Sequence, residues 1–295
     1  MLPKFEVYIP KGVDDSLRFL DENKEKALIL AGGTDLLLRV RSRGVKPEWL
    51  IDISGFEELK YIKKTDGIVR IGALTLVDEL ARSEDLKDCC AVFCEVAEKF
   101  GGPHTRNLAT IGGNVARCLQ TSDLILPLIA LNAGSTVRSF KGERHVPVED
   151  LLIGRRKTSL EPNEIITEFS FKEPEKNEYC AYEKLGRRKA LAITIASACV
   201  FLRLGENGER IDDVRVVVDQ LSNRRIPERS KKTEAFLRGK AWSDKVITDA
   251  EEVLSGEMHR RGDFRASAEY RADMSKVLFR RALKKCRENI VAKTR

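Results

Sequence analysis

The sequence predicts an α+β protein built from two domains, and three observations carry that reading. Its 295 residues exceed one ordinary domain, at about 100–200 residues each. Residues 1–55 read as β-α-β. After the polar, proline-bearing stretch KEPEKNE at 172–178, strands and then helices follow in blocks, the order of a separate α+β unit. The expected units are residues 1–172, in two parts (about 1–55 and 56–172), and a smaller unit at 179–290.

Residues 6–9 read as a strand. Residues 13–23 have helical spacing in Val13, Leu17 and Leu20, with Asp14 or Asp15 as the cap. The apolar run 27–30 ends in Ala31-Gly32-Gly33-Thr34-Asp35. Residues 36–40 read as helix and 49–53 as strand. Another strand is expected at 68–71. A helix begins at Thr75 with Asp78 and Glu79 in its first turn, and a second at 86–100 carries Val92, Phe93, Val96 and Ala97. A loop at 101–107 leads to Thr110-Ile111-Gly112-Gly113-Asn114. A helix at 124–131 and strands at 136–138 and 165–171 follow. Beyond the linker, strands are expected at 192–204 and 211–218 and helices at 231–237, 245–254 and 266–285.

Apolar residues at 42% and charged residues at 34% give a soluble globular balance. The apolar run 190–202 is broken by Thr194 and Ser197, and is shorter than the roughly 18 residues a membrane span needs. The start MLPKFEVYIP has no signal-peptide core. A cytoplasmic location is expected. Cys89, Cys90, Cys94, Cys118, Cys180, Cys199 and Cys286 are odd in number and include no Cys-x-x-Cys. That spacing argues against a zinc site, a redox dithiol, a disulfide framework and a resident iron–sulfur cluster. Residues 1–179 hold 26 Lys+Arg against 29 Asp+Glu, and residues 180–295 hold 27 against 17. The basic second half is either a solvated surface or a face for an acidic partner. Aromatics are not interleaved with the bases, which disfavours nucleic acid.

The two glycine pairs share a logic. Paired glycines reach backbone conformations closed to other residues. They also bare successive N–H groups that form an anion nest. Two such nests would suit the two phosphates of a dinucleotide; the alternative is a pair of tight turns. No G-x-G-x-x-G is present, and Gly239-Lys240 is followed by Ala241, so this is neither a Rossmann fingerprint nor a P-loop.

Together with their neighbours, these loops resemble a known family. AGGTDLLL, IGALTLVDEL, GGPHTRNLATIGGNVA, TSDLILPLIAL and YEKLGRRKALAI occur in the order found in FAD-binding subunits of the molybdenum hydroxylases, such as those of xanthine, nicotinate and carbon monoxide dehydrogenases. The resemblance runs to about residue 285, with RASAEYRADMSKVLFRRAL similar to the closing helix. It implies a two-subdomain FAD-binding domain of the vanillyl-alcohol-oxidase-like (PCMH) type, followed by the smaller α+β C-terminal domain.

By resemblance, Ala31, Gly32, Gly33, Thr34 and Asp35 wrap the FAD pyrophosphate. Thr110, Ile111, Gly112, Gly113 and Asn114 form the second pyrophosphate and ribityl segment. Asp123, nine residues after Asn114, contacts the cofactor. Phe100 lies near the adenine, Ile166 packs on the isoalloxazine, and Lys184 lies near the ring. Each has a plainer alternative. Phe100 and Ile166 read equally as core, Asp123 as a cap for the following helix, and Asn114 as a turn residue. Lys184 reads as part of a solvated run with Arg187, Arg188 and Lys189. His104 stands where glutamine is common and Ala192 where many relatives carry an aspartate. Cys118 has no partner base near in sequence.

The resemblance implies an electron-transfer role, with the redox chemistry supplied by non-covalent FAD. Substrate would be hydroxylated at a molybdenum cofactor on one partner subunit. Electrons would pass through two [2Fe–2S] clusters on another to the FAD here, and then to an external acceptor. Two alternatives stand beside it. One is a self-contained FAD oxidase or dehydrogenase, for which the C-terminal part offers only His259 and scattered acids. The other is a basic nucleotide- or nucleic-acid-binding module.

Overall fold

The protein is described here by a computed structural model covering residues 3–188, 191–205, 207–219, 221 and 223–294. Lys189, the end of the charge run, and Ala190, the start of the apolar run, lie outside the described residues. The chain opens with β1 (Glu6–Tyr8), α1 (Val13–Asn23), β2 (Ala27–Leu30), α2 (Leu36–Arg41) and β3 (Trp49–Asp52). β3 is central and pairs in parallel with both β1 and β2; parallel strands require crossovers, which α1 supplies between β1 and β2 and α2 between the neighbours β2 and β3. α1 buries Val13, Leu17 and Leu20 against Ile51 and Ile53. Neither expected aspartate caps it. Its N-cap is Gly12, and Asp15 accepts from the Tyr8 hydroxyl (3.0 Å) and the Lys11 N–H (2.9 Å).

The middle of the chain runs β4 (Ile62–Thr65), β5 (Ile68–Gly72), α3 (Val77–Arg82), α4 (Glu84–Cys90), α5 (Val92–Glu98), α6 (Pro103–Arg106), α7 (Ile111–Arg117), α8 (Ile125–Ala130), β6 (Gly134–Ser139), β7 (Gly142–Pro147), α9 (Val148–Leu151), β8 (Leu152–Gly154), β9 (Lys157–Thr158) and β10 (Ile165–Lys172). An antiparallel sheet of order β4-β5-β10-β6-β7 backs the helices. The helix expected at 86–100 is two, α4 and α5, meeting at Ala91. Ala91 keeps helical angles (φ −55°, ψ −18°), so the apolar stripe continues through the junction. Thr75 does not start α3; its Oγ1 bonds the Tyr61 backbone, and Glu79 accepts from the Leu76 N–H at the helix start (2.7 Å).

The last part comprises β11 (Glu178–Gly186), β12 (Thr194–Leu204), β13 (Ile211–Val218), β14 (Glu228–Arg229), α10 (Lys231–Leu237), α11 (Asp244–Glu257) and α12 (Ala268–Thr294). The strands form an antiparallel sheet in sequence order. This sheet is covered on both faces, which is why β12 is buried at every residue but Arg203. Ala196, Ala198, Val200 and Leu202 face Leu278, Phe279 and Leu283 of α12. Cys199 and Phe201 join Cys180 and Tyr182 in the core that also holds Phe93 and Leu126. The polar stretch 172–178 is thus a chain connection, while the hydrophobic core runs past it.

Among the described residues no helix is long and apolar enough to cross a membrane. All seven cysteines are buried and unpaired. Burial pushes the Cys89 and Cys94 thiols up to about 11, and thiolate is the reactive form. An alkylating reagent at neutral pH should therefore label none of the seven until the protein is unfolded. Rapid labelling of the native protein, read by mass spectrometry, would contradict this packing.

Candidate functional site

A cavity of about 540 Å³ opens between the parallel sheet, α7 and the β11–β12 end of the last sheet, within the range of small-molecule sites. Of the fourteen residues singled out in the sequence, Ala31 to Asp35, Phe100, Thr110, Gly112, Gly113, Asn114, Asp123, Ile166 and Lys184 all line it. Ile111 is the exception. It is fully buried in the hydrophobic core, because the first turn of α7 points it away from the cavity.

The two glycine pairs do different work. In the first, the N–H groups of Gly32, Gly33, Thr34 and Asp35 meet no protein acceptor among the described residues, leaving four successive donors at the cavity wall. Gly33 has φ +67°, a conformation that favours glycine. Gly32 lies so close to the next loop that a Cβ would stand 1.7 Å from Leu108 O. This is a nest. The second pair is not, contrary to the sequence expectation of two. Gly112 and Gly113 lie in the first turn of α7. Their N–H groups are taken by Ala73 O (2.8 Å) and Thr110 Oγ1 (3.0 Å), and those of Ile111 and Asn114 by Thr75 O and Thr110 O. Glycine is required there for close packing: a Cβ on Gly112 would sit 2.7 Å from Ala73 O.

Beside the nest stand two arginines that sequence reasoning missed, Arg39 and Arg117. Arg117 forms an ion pair with Asp35, joining α7 to the first loop. Burial, and then the charge of Arg117, lower the Arg39 pKa. This end of the cavity is electropositive despite Asp35. A helical offset from each glycine pair, six residues on from Gly33 and four from Gly113, was the signal available in the sequence.

At the other end Asp123 is the hub. Its carboxylate accepts from Tyr182 Oη (2.9 Å), Thr194 Oγ1 (2.7 Å) and Lys184 Nζ (2.6 Å). Burial, followed by the Asp123 charge, pushes the Tyr182 phenol well above its ordinary value. Asp123 is therefore no helix cap: the helix starts after Leu124 without a side-chain cap bond. Asn114 Oδ1 instead accepts from the Leu124 N–H (3.2 Å), tying α7 to that helix. Nor is Lys184 solvated. Its side chain is 6% exposed and also donates to Lys99 O (3.0 Å). That bond puts Phe100, the residue after Lys99, at the Lys184 end. Ile166, Ala192 and Thr194 line the same cavity.

The remaining residues of interest stay outside. His104 and His259 are exposed and do not line the cavity. Cys118 is buried, with its Sγ turned toward Gly154 O (3.1 Å) and Lys157 O (3.4 Å), and burial raises its thiol pKa. Asp35, Asp123 and Glu164 are each paired with a cation, the last with Arg144 (2.7 Å). No group of His, Cys, Asp and Glu that could hold a metal occurs among the described residues.

Comparison with known proteins matches residues 3–171 to the family described as "FAD binding domain in molybdopterin dehydrogenase" and residues 181–286 to "CO dehydrogenase flavoprotein C-terminal domain". The chain is 30% identical over 208 residues to the nicotinate dehydrogenase FAD-subunit of Eubacterium barkeri, covering 69% of this chain and 70% of that one. It is 29% identical to the carbon monoxide dehydrogenase medium chain of Hydrogenophaga pseudoflava, over 95% of this chain and 96% of the relative. The solved carbon monoxide dehydrogenase from Hydrogenophaga pseudoflava that lacks the Mo-pyranopterin moiety contains a chain that superposes with a TM-score of 0.93 at 29% identity, over 98% of this chain and 99% of that chain.

Proposed function

The chain belongs to the FAD-binding family of the molybdopterin dehydrogenases, and from that premise we propose that it is the electron-transfer flavin subunit of a molybdenum hydroxylase. The observation that carries the reading is the cavity itself. It offers a nest of free N–H donors with two arginines at one end and a buried Asp123–Lys184 pair with an aromatic neighbour at the other. A diphosphate fits the first end, through charge-assisted hydrogen bonds. A flat heteroaromatic ring fits the second, where apolar Ile166 is also part of the cavity wall. When bound, FAD supplies the redox chemistry. This chain supplies the donors that fix the diphosphate and the walls that exclude water from the ring.

The proposal extends to partners. A molybdenum-cofactor subunit and a subunit with two [2Fe–2S] clusters would deliver electrons, and an external acceptor would remove them. Of the four carboxylates that line the cavity, Asp35, Asp123 and Glu164 are paired with cations, and Glu161, without a salt bridge among the described residues, is exposed; this weighs against a self-contained oxidase that holds a buried base free to take a substrate proton. We assign residues 1–172 to holding the cofactor and 179–290 to closing its ring end, through Lys184 and Thr194.

FAD is expected to be non-covalent. The nest contains no His, Cys or Tyr, and neither His104 nor Cys118 lines the cavity. Acid precipitation should leave all flavin in the supernatant; flavin retained in the pellet would contradict the assignment. The function is tested by co-expressing the chain with iron–sulfur and molybdenum subunits of this family. Co-purification of a flavin-bearing complex supports it, and a monomeric, flavin-free chain speaks against it.

A further inference from the structure

The start of β12 is irregular, and the irregularity sits against the ring end of the cavity. β11 pairs with β12 in step from Glu178↔Arg203 to Leu185↔Ala196, and the next pair is Gly186↔Thr194. Ile195 is therefore the extra residue of a β-bulge. β13 gives no support there, since its register with β12 begins at Ala198. Bulges bend a strand and re-aim the side chains beside them. The side chain at this bulge is Thr194, which lines the cavity and donates its hydroxyl to Asp123 (2.7 Å).

Two arginines hold the bulge by its carbonyls. Thr194 O accepts from Arg265 Nη1 (3.1 Å) and Ile195 O from Arg271 Nη1 (2.9 Å). Arg271 lies near the start of α12 and is buried, and Arg265 is in the loop before that helix. Guanidinium groups aimed at neighbouring carbonyls repel one another, and Asp263 is the acid that pairs with both. Its Oδ2 accepts from Arg265 Nη2 (2.6 Å) and its Oδ1 from Arg271 Nη2. Burial raises the Asp263 pKa, but the hydrogen bonds from Arg265 and Arg271 more than offset it and leave the carboxyl below its ordinary value. Arg187, just past β11, closes the loop by donating to Phe264 O (3.1 Å).

The consequence lies at Asp123. Of its three hydrogen bonds, those from Tyr182 and Lys184 come from the regular part of β11. The third, from Thr194, depends on the bulge. A hydroxyl that points its positive end at a carboxylate stabilises the charge and offsets part of its field. Without that hydroxyl, Asp123 would oppose the negative charge of a reduced ring more strongly.

We propose that Asp263 is a positioning residue for the flavin: through Arg265 and Arg271 it sets the β12 bulge, so that Thr194 keeps its bond to Asp123 and the Asp123–Lys184 pair keeps its balance of charge beside the ring. The proposal rests on the reading above, in which that pair faces a bound flavin. Asp263, Arg265 and Arg271 do not line the cavity, so the end of the chain acts on the redox potential from outside it.

The test is a redox titration of the FAD-loaded chain, with hydrogen exchange of the flavin-free chain beside it. Thr194→Val should lower the ratio of reduced to oxidised flavin at a fixed poise about 5-fold, equivalent to about 20 mV in a two-electron couple. Thr194→Ser restores the hydroxyl and should recover the wild-type potential. Asp263→Ala should lower the ratio by a similar factor, and Arg265→Ala is a second route to the same carbonyl. In an Asp123→Asn background Asp263→Ala should add nothing, because the carboxylate it acts through is gone. In the flavin-free chain, Asp263→Ala should speed amide exchange at residues 194–197. Asp263→Ala and Arg265→Ala proteins that keep the wild-type potential overturn the proposal even if their Tm falls, since a merely structural clamp would lower Tm alone. So does an equal shift in the Asp123→Asn background, or exchange at the bulge that stays at the wild-type rate. A wild-type chain that takes up no FAD, or an Asp123→Asn chain whose potential does not move, would sink the functional reading first and the proposal with it.

Discussion

Gly33→Val is expected to yield a folded protein that no longer retains FAD. Gly33 holds φ +67°, and a β-branched residue in that region costs about 1–3 kcal/mol. The loop would relieve the strain by turning, and turning takes the N–H groups of residues 32–35 off their common target. Each hydrogen bond to a charged group is worth about 1.5–3 kcal/mol. Loss of two therefore removes roughly 3–6 kcal/mol, or about two to four orders of magnitude in affinity. The fold should survive, since the contacts a Cβ would meet are ends of Leu37 and Leu30 side chains. Gly113→Val provides the contrast. Gly113 is helical and its N–H is already bound to Thr110 Oγ1, so its loss acts through bulk in the cavity and a disturbed cap. A smaller rise in the FAD Kd is expected, and equal losses from both variants would mean that the single-nest account is wrong.

Lys184→Met should lower the two-electron flavin potential and destabilise the protein together. In the native site the Lys184 ammonium and Asp123 carboxylate, both 6% exposed, offset one another. Removing the cation leaves the carboxylate buried, and breaking such a pair costs roughly 3–5 kcal/mol. The uncompensated negative charge also opposes the negative charge of a reduced flavin. At an effective dielectric of about 20, one charge about 6 Å away contributes on the order of 2–3 kcal/mol. With about 30 mV for each 1.4 kcal/mol of a two-electron couple, the potential should fall by roughly 40–60 mV. Asp123→Asn alone should shift it the other way, and Asp123→Asn with Lys184→Met should return it close to wild type. A redox titration in which all three variants match wild type would show that the pair does not face the ring.

The sequence made the cavity legible through its glycines and through helical and strand periodicity, and obscured what depends on packing. The spacing from Val13 to Leu20 identified α1, and the β12 run was apolar because both of its faces are covered. β11 escaped notice because Glu183 and Lys184 look solvated in sequence, whereas Lys184 is buried by its pairing with Asp123, a residue far away in the chain. β4 and β7 were missed as edge strands, with exposed polar residues such as Lys63, Lys64 and Glu143, the usual character of a sheet edge. The two Gly-Gly pairs looked alike in sequence. What separates them is whether their N–H groups are already occupied, and that is decided by Ala73 across the fold and by Thr110, the cap residue three positions before Gly113. Arg39 and Arg117 left only their helical offsets from the glycine pairs as a signal, because their role arises only when α2 and α7 come together.

The most direct measurement is flavin content resolved by subunit. The complex is purified from co-expression, its subunits are separated under mild native conditions, and FAD is quantified on each. FAD should be stoichiometric with this chain, absent from the other subunits, and lost from this chain alone when Gly33 is replaced by Val. A folded wild-type chain that carries no FAD, and takes up none when FAD is supplied, would contradict it.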